Sequence, residues 1–295
     1  MATTGEFRYL DPTSQAPGTK PWAKVDTSAA QSYSQTTRRR SVTDIRSLPP
    51  SSFGTDISGF SLHHAPAKET AFTDDAAIRT GYYAEVESLL KAQLPGVKKV
   101  VIFDHTIRKH DPSAPRQPVQ SVHVDQTPGA AEVRVRRHVE GGAEAEELLK
   151  GRYQIINVWR PISHPATDFP LALVDWRTTE PEDLIAVDLL YPIPRGEGEK
   201  EVLPDPEKVA STEGYEIKGE TYGVGPSERH KFYYVRDMKP EEALFIKCFD
   251  SWGEWHSGKE GVAVLTPHTA FVDPQTPHGT KGRESIEVRC LVFYE

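Results

Sequence analysis

The chain is poor in sulfur, with two cysteines and two methionines among 295 residues. Two thiols are too few for a cysteine metal site. Both lie in apolar runs, Cys248 in IKCF and Cys290 in VRCLVFY, where a buried free thiol is expected rather than a disulfide. A basic surplus is also missing, since 35 Lys and Arg stand against 43 Asp and Glu, a formal charge of -8. Binding along a nucleic-acid backbone needs the opposite field and is excluded as a main activity. No run approaches the roughly 18 apolar residues of a membrane helix. The opening MATTGEFRYLDPTSQ lacks the basic and apolar regions of a secretory leader. Also absent are G-x-G-x-x-G, G-x-x-x-x-G-K-[ST] and G-x-S-x-G, and with them the standard dinucleotide, triphosphate and nucleophile-elbow signatures. These absences predict a cytoplasmic enzyme or small-molecule-binding protein.

What is present is a long β-rich stretch behind a polar arm. Residues 11–58 hold much Ser, Thr, Pro and Gly, so residues 1–58 are expected as an extended or partly disordered N-terminal arm, with RRRS at 38–41 a solvated flank. One domain over 59–295 follows. TDDAAIRTGYYAEVESLLKAQLP (73–95) predicts a helix, with acidic residues in its first turns and Pro95–Gly96 as the stop. A second helix is expected around 140–150. Nine or ten short strands follow or flank these, among them VKKVVIFDHTIR, SVHVDQT, RYQIINVWRPI, EALFIKCFD and ESIEVRCLVFY. So little intervening helix disfavours a parallel α/β sheet and favours a closed or sandwiched antiparallel one. PRGEGEKEVLPDPEKVASTE (194–213) has no core signal and predicts an exposed loop or lid edge.

HVDQTPGAA, beginning at His123, sets an imidazole and a carboxylate two residues apart, immediately before a turn. On a strand, His123 and Asp125 then share one face. Such a pair, completed by a distant imidazole, makes the facial triad of non-haem Fe(II) sites, which leaves metal positions open for oxygen and a cosubstrate. Two histidines compete for the third place. His268 leaves the apolar run AVLTPHTAF, and a strand fixes a ligand better than a loop can; His278 sits in the turn-rich DPQTPHGTKG. The plain alternatives are a hydrogen-bonded strand-end histidine at 268 and a turn-capping Asp125. In WRP, Trp159 reads as a core or pocket-wall aromatic. Arg160, if inward, needs an anionic partner such as a substrate carboxylate, and otherwise lies on an edge strand. Lys247 and Asp250 read either as lining of the same mouth or as a fold-stabilising ion pair. Tyr233, Tyr234, Trp252 and Trp255 are candidate pocket aromatics, with core packing as the alternative for each.

HVDQTPGAA, INVWRPI, FIKCFDS, PHTAFVDP and RESIEVRCLVFY follow one another as in the fungal hydroxylase/desaturase family of specialised metabolism. That family includes aspergillic-acid hydroxylase-like and gibberellin desaturase-like proteins, with relatives in cephamycin methoxylation. The resemblance runs from about residue 100 to the C-terminus. It implies a mainly β fold with peripheral helices, the double-stranded β-helix or cupin-like jelly roll, and Fe(II) and 2-oxoglutarate as cofactors. His123, Asp125 and His268 are implied as metal ligands. Arg283, with Ser285 one strand step on, resembles the Arg-x-Ser element that binds the distal carboxylate of 2-oxoglutarate, by two parallel charge-assisted bonds to the guanidinium. Arg289 shares that parity and stands as the rival anchor or as a supporting partner. Asp104 and His105 in FDHT resemble another, structural, family element.

The expected reaction is hydroxylation or desaturation of a small hydrophobic metabolite. Two alternatives differ in class. One is a non-oxidative pericyclic cyclisation, epimerisation or dehydration in the same pocket; the other is a non-enzymatic binding barrel. Neither nucleic acid nor membrane is an expected partner, and a homodimer is compatible with this reading.

Overall fold

Short apolar runs of strand length dominate the chain after residue 97, and the architecture follows from them. A computed structural model describes residues 2–26, 30–114, 116–193 and 210–295. Its strands are β1 (Ala2–Leu10), β2 (Trp22–Lys24), β3 (Gln35–Asp44), β4 (Phe60–His64), β5 (Val97–Lys109), β6 (His123–Val124) and β7 (Tyr153–Pro161). The second half adds β8 (Leu171–Val174), β9 (Leu184–Pro192), β10 (Tyr215–Val224), β11 (Phe232–Tyr234), β12 (Glu242–Asp250), β13 (His268–Ala270) and β14 (Glu284–Tyr294). They form a nine-stranded sheet ordered β1-β3-β11-β8-β13-β6-β10-β9-β2 and a five-stranded sheet ordered β4-β12-β7-β14-β5. Nearly all pairings are antiparallel, so the expected mainly β, jelly-roll class is the one observed.

Parity along β7 shows how the five-stranded sheet is filled on both faces. Ile155 and Trp159 join the cluster shared with Leu173 of the other sheet and with Val235 just after β11. Ile156 and Val158 join the cluster under the helical segment, which is why QIINVWRP is buried throughout instead of alternating. That segment runs Asp75–Ala77, a π-turn Ile78–Tyr82, and Tyr83–Gln93, and Asp74 caps its start by accepting from the Ala76 N–H. Ile78, Tyr82, Val86 and Leu90 are buried on the sheet, each worth roughly 1.5–3 kcal/mol of apolar transfer. The helix expected around 140–150 is Gly142–Lys150.

Two features differ from the sequence expectation. Residues 2–10 and 35–44, expected within an extended or disordered arm, pair as β1 and β3. β1 then folds back so that the Val122 N–H donates to the Arg8 carbonyl. The supposed flank is thus built into the sheet, with Phe7, Tyr9 and Val42 as its buried teeth. After Asp125 the chain forms not merely a turn but a helix, Pro128–His138, capped by Thr127 and begun by proline. Of the excursion expected at 194–213, residues 194–209 lie outside the described residues.

Candidate metal and carboxylate site

His123 and His268 face each other across β6 and β13 as directly paired residues, their rings 4.5 Å apart between centroids. Asp125 follows on the same face. One ligating atom from each of His123, Asp125 and His268 lies within 4.8 Å of the others, the one such group of His, Cys, Asp or Glu among the described residues. His278 is exposed on its loop, outside this group. The tautomers are set by backbone. His123 Nδ1 lies 2.8 Å from the Ser121 carbonyl and His268 Nδ1 3.0 Å from that of Thr266. A carbonyl only accepts, so each Nδ1 carries the proton and each Nε2 offers its lone pair inward. Gly59 supports this wall: a Cβ there would lie 2.3 Å from Thr266 Oγ1, which donates to the Gly59 carbonyl.

The carboxylate is oriented from the opposite sheet. Asp125 Oδ2 accepts from Asn157 Nδ2 at 2.7 Å and lies 3.4 Å from Arg289 Nε, while Oδ1 is 3.4 Å from His123 Nε2. Burial alone would raise the Asp125 pKa, but Arg289 and the two imidazoles hold it well below the ordinary carboxylate range. Burial presses the His123 pKa down, yet Asp125 and the Ser121 carbonyl raise it on balance. For His268, burial and the neighbouring His123 lower it. Two neutral-capable imidazoles and one ionised carboxylate, each with a free donor atom, fit a divalent ion of the imidazole–carboxylate class.

β14 and the residue before it present Arg283, Ser285, Glu287 and Arg289 at alternate positions, and the two candidate anchors differ sharply. Arg289 is already neutralised, with Asp104 at 3.0 Å, Glu287 at 3.0 Å and Asp125 at 3.4 Å, and its pKa is raised despite burial. Arg283 is 2% exposed, and among the described residues no carboxylate lies within ion-pair distance of its side chain. Its Nη1 donates to the Phe169 carbonyl at 2.6 Å, and its guanidinium lies 5.5 Å from the centre of the Trp159 ring. Nε is buried without a partner. Burial, then the nearby Arg108, push its pKa down to about 9. The Nε edge of the fork is therefore unspent, and Ser285 is buried one strand step away. Close packing holds this arrangement: a Cβ at Gly282 would lie 2.2 Å from the His110 carbonyl.

Other candidates fall elsewhere. Arg160 belongs to the opposite face of β7, where it donates to the carbonyls of Ala65 and Pro240 and lies over Tyr82. Lys247 is bound to Asp56, Asp250 and the Ala263 carbonyl, the ion-pair reading. Asp104 serves Arg289, and His105 faces the helical layer, where it meets the Tyr83 hydroxyl. Tyr233 packs with the inner cluster, Tyr234 with the N-terminal strands, Trp255 against Trp176, and Trp252 is at the surface. Asn157, Glu287 and Arg108 were not anticipated. Asn157 and Glu287 carried a signal, being polar residues at inward parity with Trp159 and with Arg283.

Residues 7–293 match a family described as Oxidoreductase/YMDC permease-like domain. The chain is 32% identical over 270 residues to the hydroxylase/desaturase efuI of Hormonema carpetanum, covering 86% of this chain and 83% of that protein. It is 33% identical over 222 residues to the Fe(II)/2-oxoglutarate-dependent dioxygenase nvfI of Aspergillus novofumigatus, covering 75% and 69%. The solved structure of the iron and alpha-ketoglutarate-dependent endoperoxidase NvfI superposes with a TM-score of 0.76 at 28% identity, over 99% of this chain and 98% of that one.

Proposed function

Because the chain belongs to the fungal family of hydroxylase/desaturases and Fe(II)/2-oxoglutarate-dependent dioxygenases, we propose that His123, Asp125 and His268 hold the iron and that Arg283 holds the distal carboxylate of 2-oxoglutarate. The protein is an enzyme of that class, and its chemistry is oxidation of a small specialised metabolite. One observation carries the residue assignment: a three-donor cluster lies against Arg289, and on the same alternation as Arg289 stands a fully buried guanidinium, Arg283, whose Nε has no partner among the described residues.

Bound iron supplies oxygen activation coupled to oxidative decarboxylation of 2-oxoglutarate to succinate. The chain's own residues prepare that step. Ser121 and Thr266 orient the imidazoles, and Asn157 and Arg289 occupy Asp125 Oδ2, which leaves Oδ1 for the metal. Arg283 receives the carboxylate by its Nε side while Phe169 and Trp159 fix the rest of the group, with Ser285 as a further donor. Trp159, Ala166, Leu171, Val235, Met238 and Leu244 pack as an apolar wall beside it, in keeping with a hydrophobic metabolite and hydroxylation or desaturation at carbon. No helix among the described residues is long and apolar enough to cross a membrane. A cytoplasmic location belongs to the same proposal, supported by two buried free thiols, and a homodimer is an assembly for light scattering to test.

Metal analysis of anaerobically loaded protein tests the assignment. His123→Ala and His268→Ala each remove most bound iron, whereas His278→Ala keeps it; the reverse ranking of the two distal histidines overturns the triad.

A further inference from the structure

The site-facing side of β5 carries a second guanidinium, Arg108, with no counter-ion among the described residues. Arg108 lies on β5 directly opposite Ser285. Asp104 and Thr106, on the same alternation, both reach Arg289 Nη1, so that face of β5 looks toward the site. Asp104, Asp125 and Glu287 are all within 4 Å of Arg289. Among the described residues Arg108 makes one hydrogen bond, from Nη1 to the Gln117 carbonyl at 3.1 Å, and no ion pair. Burial lowers its pKa, Arg289 and Arg116 add to the effect, and Glu287 and Asp125 oppose it. Arg108 is half-buried, and a guanidinium held there against a neutral carbonyl alone gains from an anion that completes it. On the reading above, 2-oxoglutarate spends its distal carboxylate on Arg283 and its keto-acid end at the metal, which leaves Arg108 for another molecule.

We propose that Arg108 binds a carboxylate, or an equally anionic oxygen, on the organic substrate and so selects acidic metabolites and sets their orientation at the site. This rests on the assignment of Arg283 to 2-oxoglutarate. The apolar body of the substrate then lies against the wall that includes Trp159, while Arg108, on β5, takes its acidic end. An Arg–carboxylate contact adds planar, two-bond recognition, so loss of charge on the ligand or on residue 108 removes the same preference.

The test titrates protein loaded with Mn(II) and saturating 2-oxoglutarate with 3-phenylpropionate and, separately, with its neutral amide. Wild type is expected to bind the carboxylate at least about tenfold more tightly than the amide, the scale of one charged hydrogen-bonded contact. In Arg108→Gln the ratio falls close to one, in Arg108→Lys it is intermediate, and 2-oxoglutarate affinity stays at the wild-type level in both. Absence of a carboxylate preference in wild type, or its persistence in Arg108→Gln, overturns the proposal. A tenfold loss of 2-oxoglutarate affinity in Arg108→Gln also overturns it, by giving Arg108 to the cosubstrate. If wild type fails to bind 2-oxoglutarate, the Arg283 assignment fails, and the same carboxylate-to-amide ratio measured with Mn(II) alone still decides Arg108.

Discussion

Replacing Arg283 by methionine separates what this residue does for the fold from what it does for the cosubstrate. Methionine keeps an unbranched side chain against Trp159 and removes the charge. In the ligand-free protein that charge is buried with the Phe169 carbonyl as its hydrogen-bond acceptor. The depression of its pKa to about 9, from roughly 12.5 or above when free, places a penalty on the order of 3–5 kcal/mol on the charged form. The sign follows from proton linkage. Between the folded and unfolded values the unfolded chain holds more protons, so the penalty is present in full at neutral pH and relieved only on raising pH through the folded value. Methionine removes it and loses one hydrogen bond of about 1 kcal/mol. The ligand-free variant should therefore melt at or above the wild-type temperature, by up to roughly 6 °C for a domain of this size. The 2-oxoglutarate complex should lose two charge-assisted bonds, together about 3 kcal/mol, or roughly a hundredfold in dissociation constant. Scanning calorimetry and titration of 2-oxoglutarate read both quantities on one sample. An unchanged 2-oxoglutarate affinity, with the loss appearing instead in Arg289→Met, would refute the reasoning.

Lys247→Met should destabilise the fold by roughly 3 kcal/mol, because the fully buried Asp250 loses one of its two cationic partners and keeps only Arg152; urea denaturation measures the loss, and 2-oxoglutarate affinity stays unchanged. His230 is buried between the Tyr9 hydroxyl and Asp183, and burial holds its pKa down against the pull of Asp183. The unfolded chain therefore takes up that proton first, and stability is lost as pH falls from about 6.5 toward the depressed value. The melting temperature should drop between pH 7 and 5, and His230→Gln should flatten part of that slope; an identical slope in the variant contradicts the account.

The β-rich domain was legible because SVHVDQT alternates, because short apolar runs such as VKKVVIFDHTIR are of strand length, and because Pro95–Gly96 punctuates the first helix. The N-terminal pairing was not. β3 carries QTTRRRSVTD, whose local composition is that of a solvated flank, and only contact with Phe232 and the rest of a distant cluster makes Val42 a core residue. The helix after Asp125 was hidden for the opposite reason, since PGAAEVRVRRH has a helix start but an alternating middle. In the site, His123 and Asp125 were visible as a pair, and His268 outranked His278 because a strand fixes its ring. Parity alone left Arg283 and Arg289 equal. What separates them is partners on other strands, Asp104 and Asp125 beside Arg289 and only a carbonyl beside Arg283, which no local pattern encodes. Arg160 shows the converse limit: a buried guanidinium in the right strand, one residue out of phase, faces the helical layer.

The most direct test of the central claim is anomalous diffraction from crystals grown anaerobically with Fe(II) and 2-oxoglutarate. The account predicts one iron peak bonded to His123 Nε2, His268 Nε2 and Asp125 Oδ1, with a 2-oxoglutarate carboxylate on the Nε side of Arg283. Iron ligated by His278, or a 2-oxoglutarate carboxylate seated on Arg289, would contradict it.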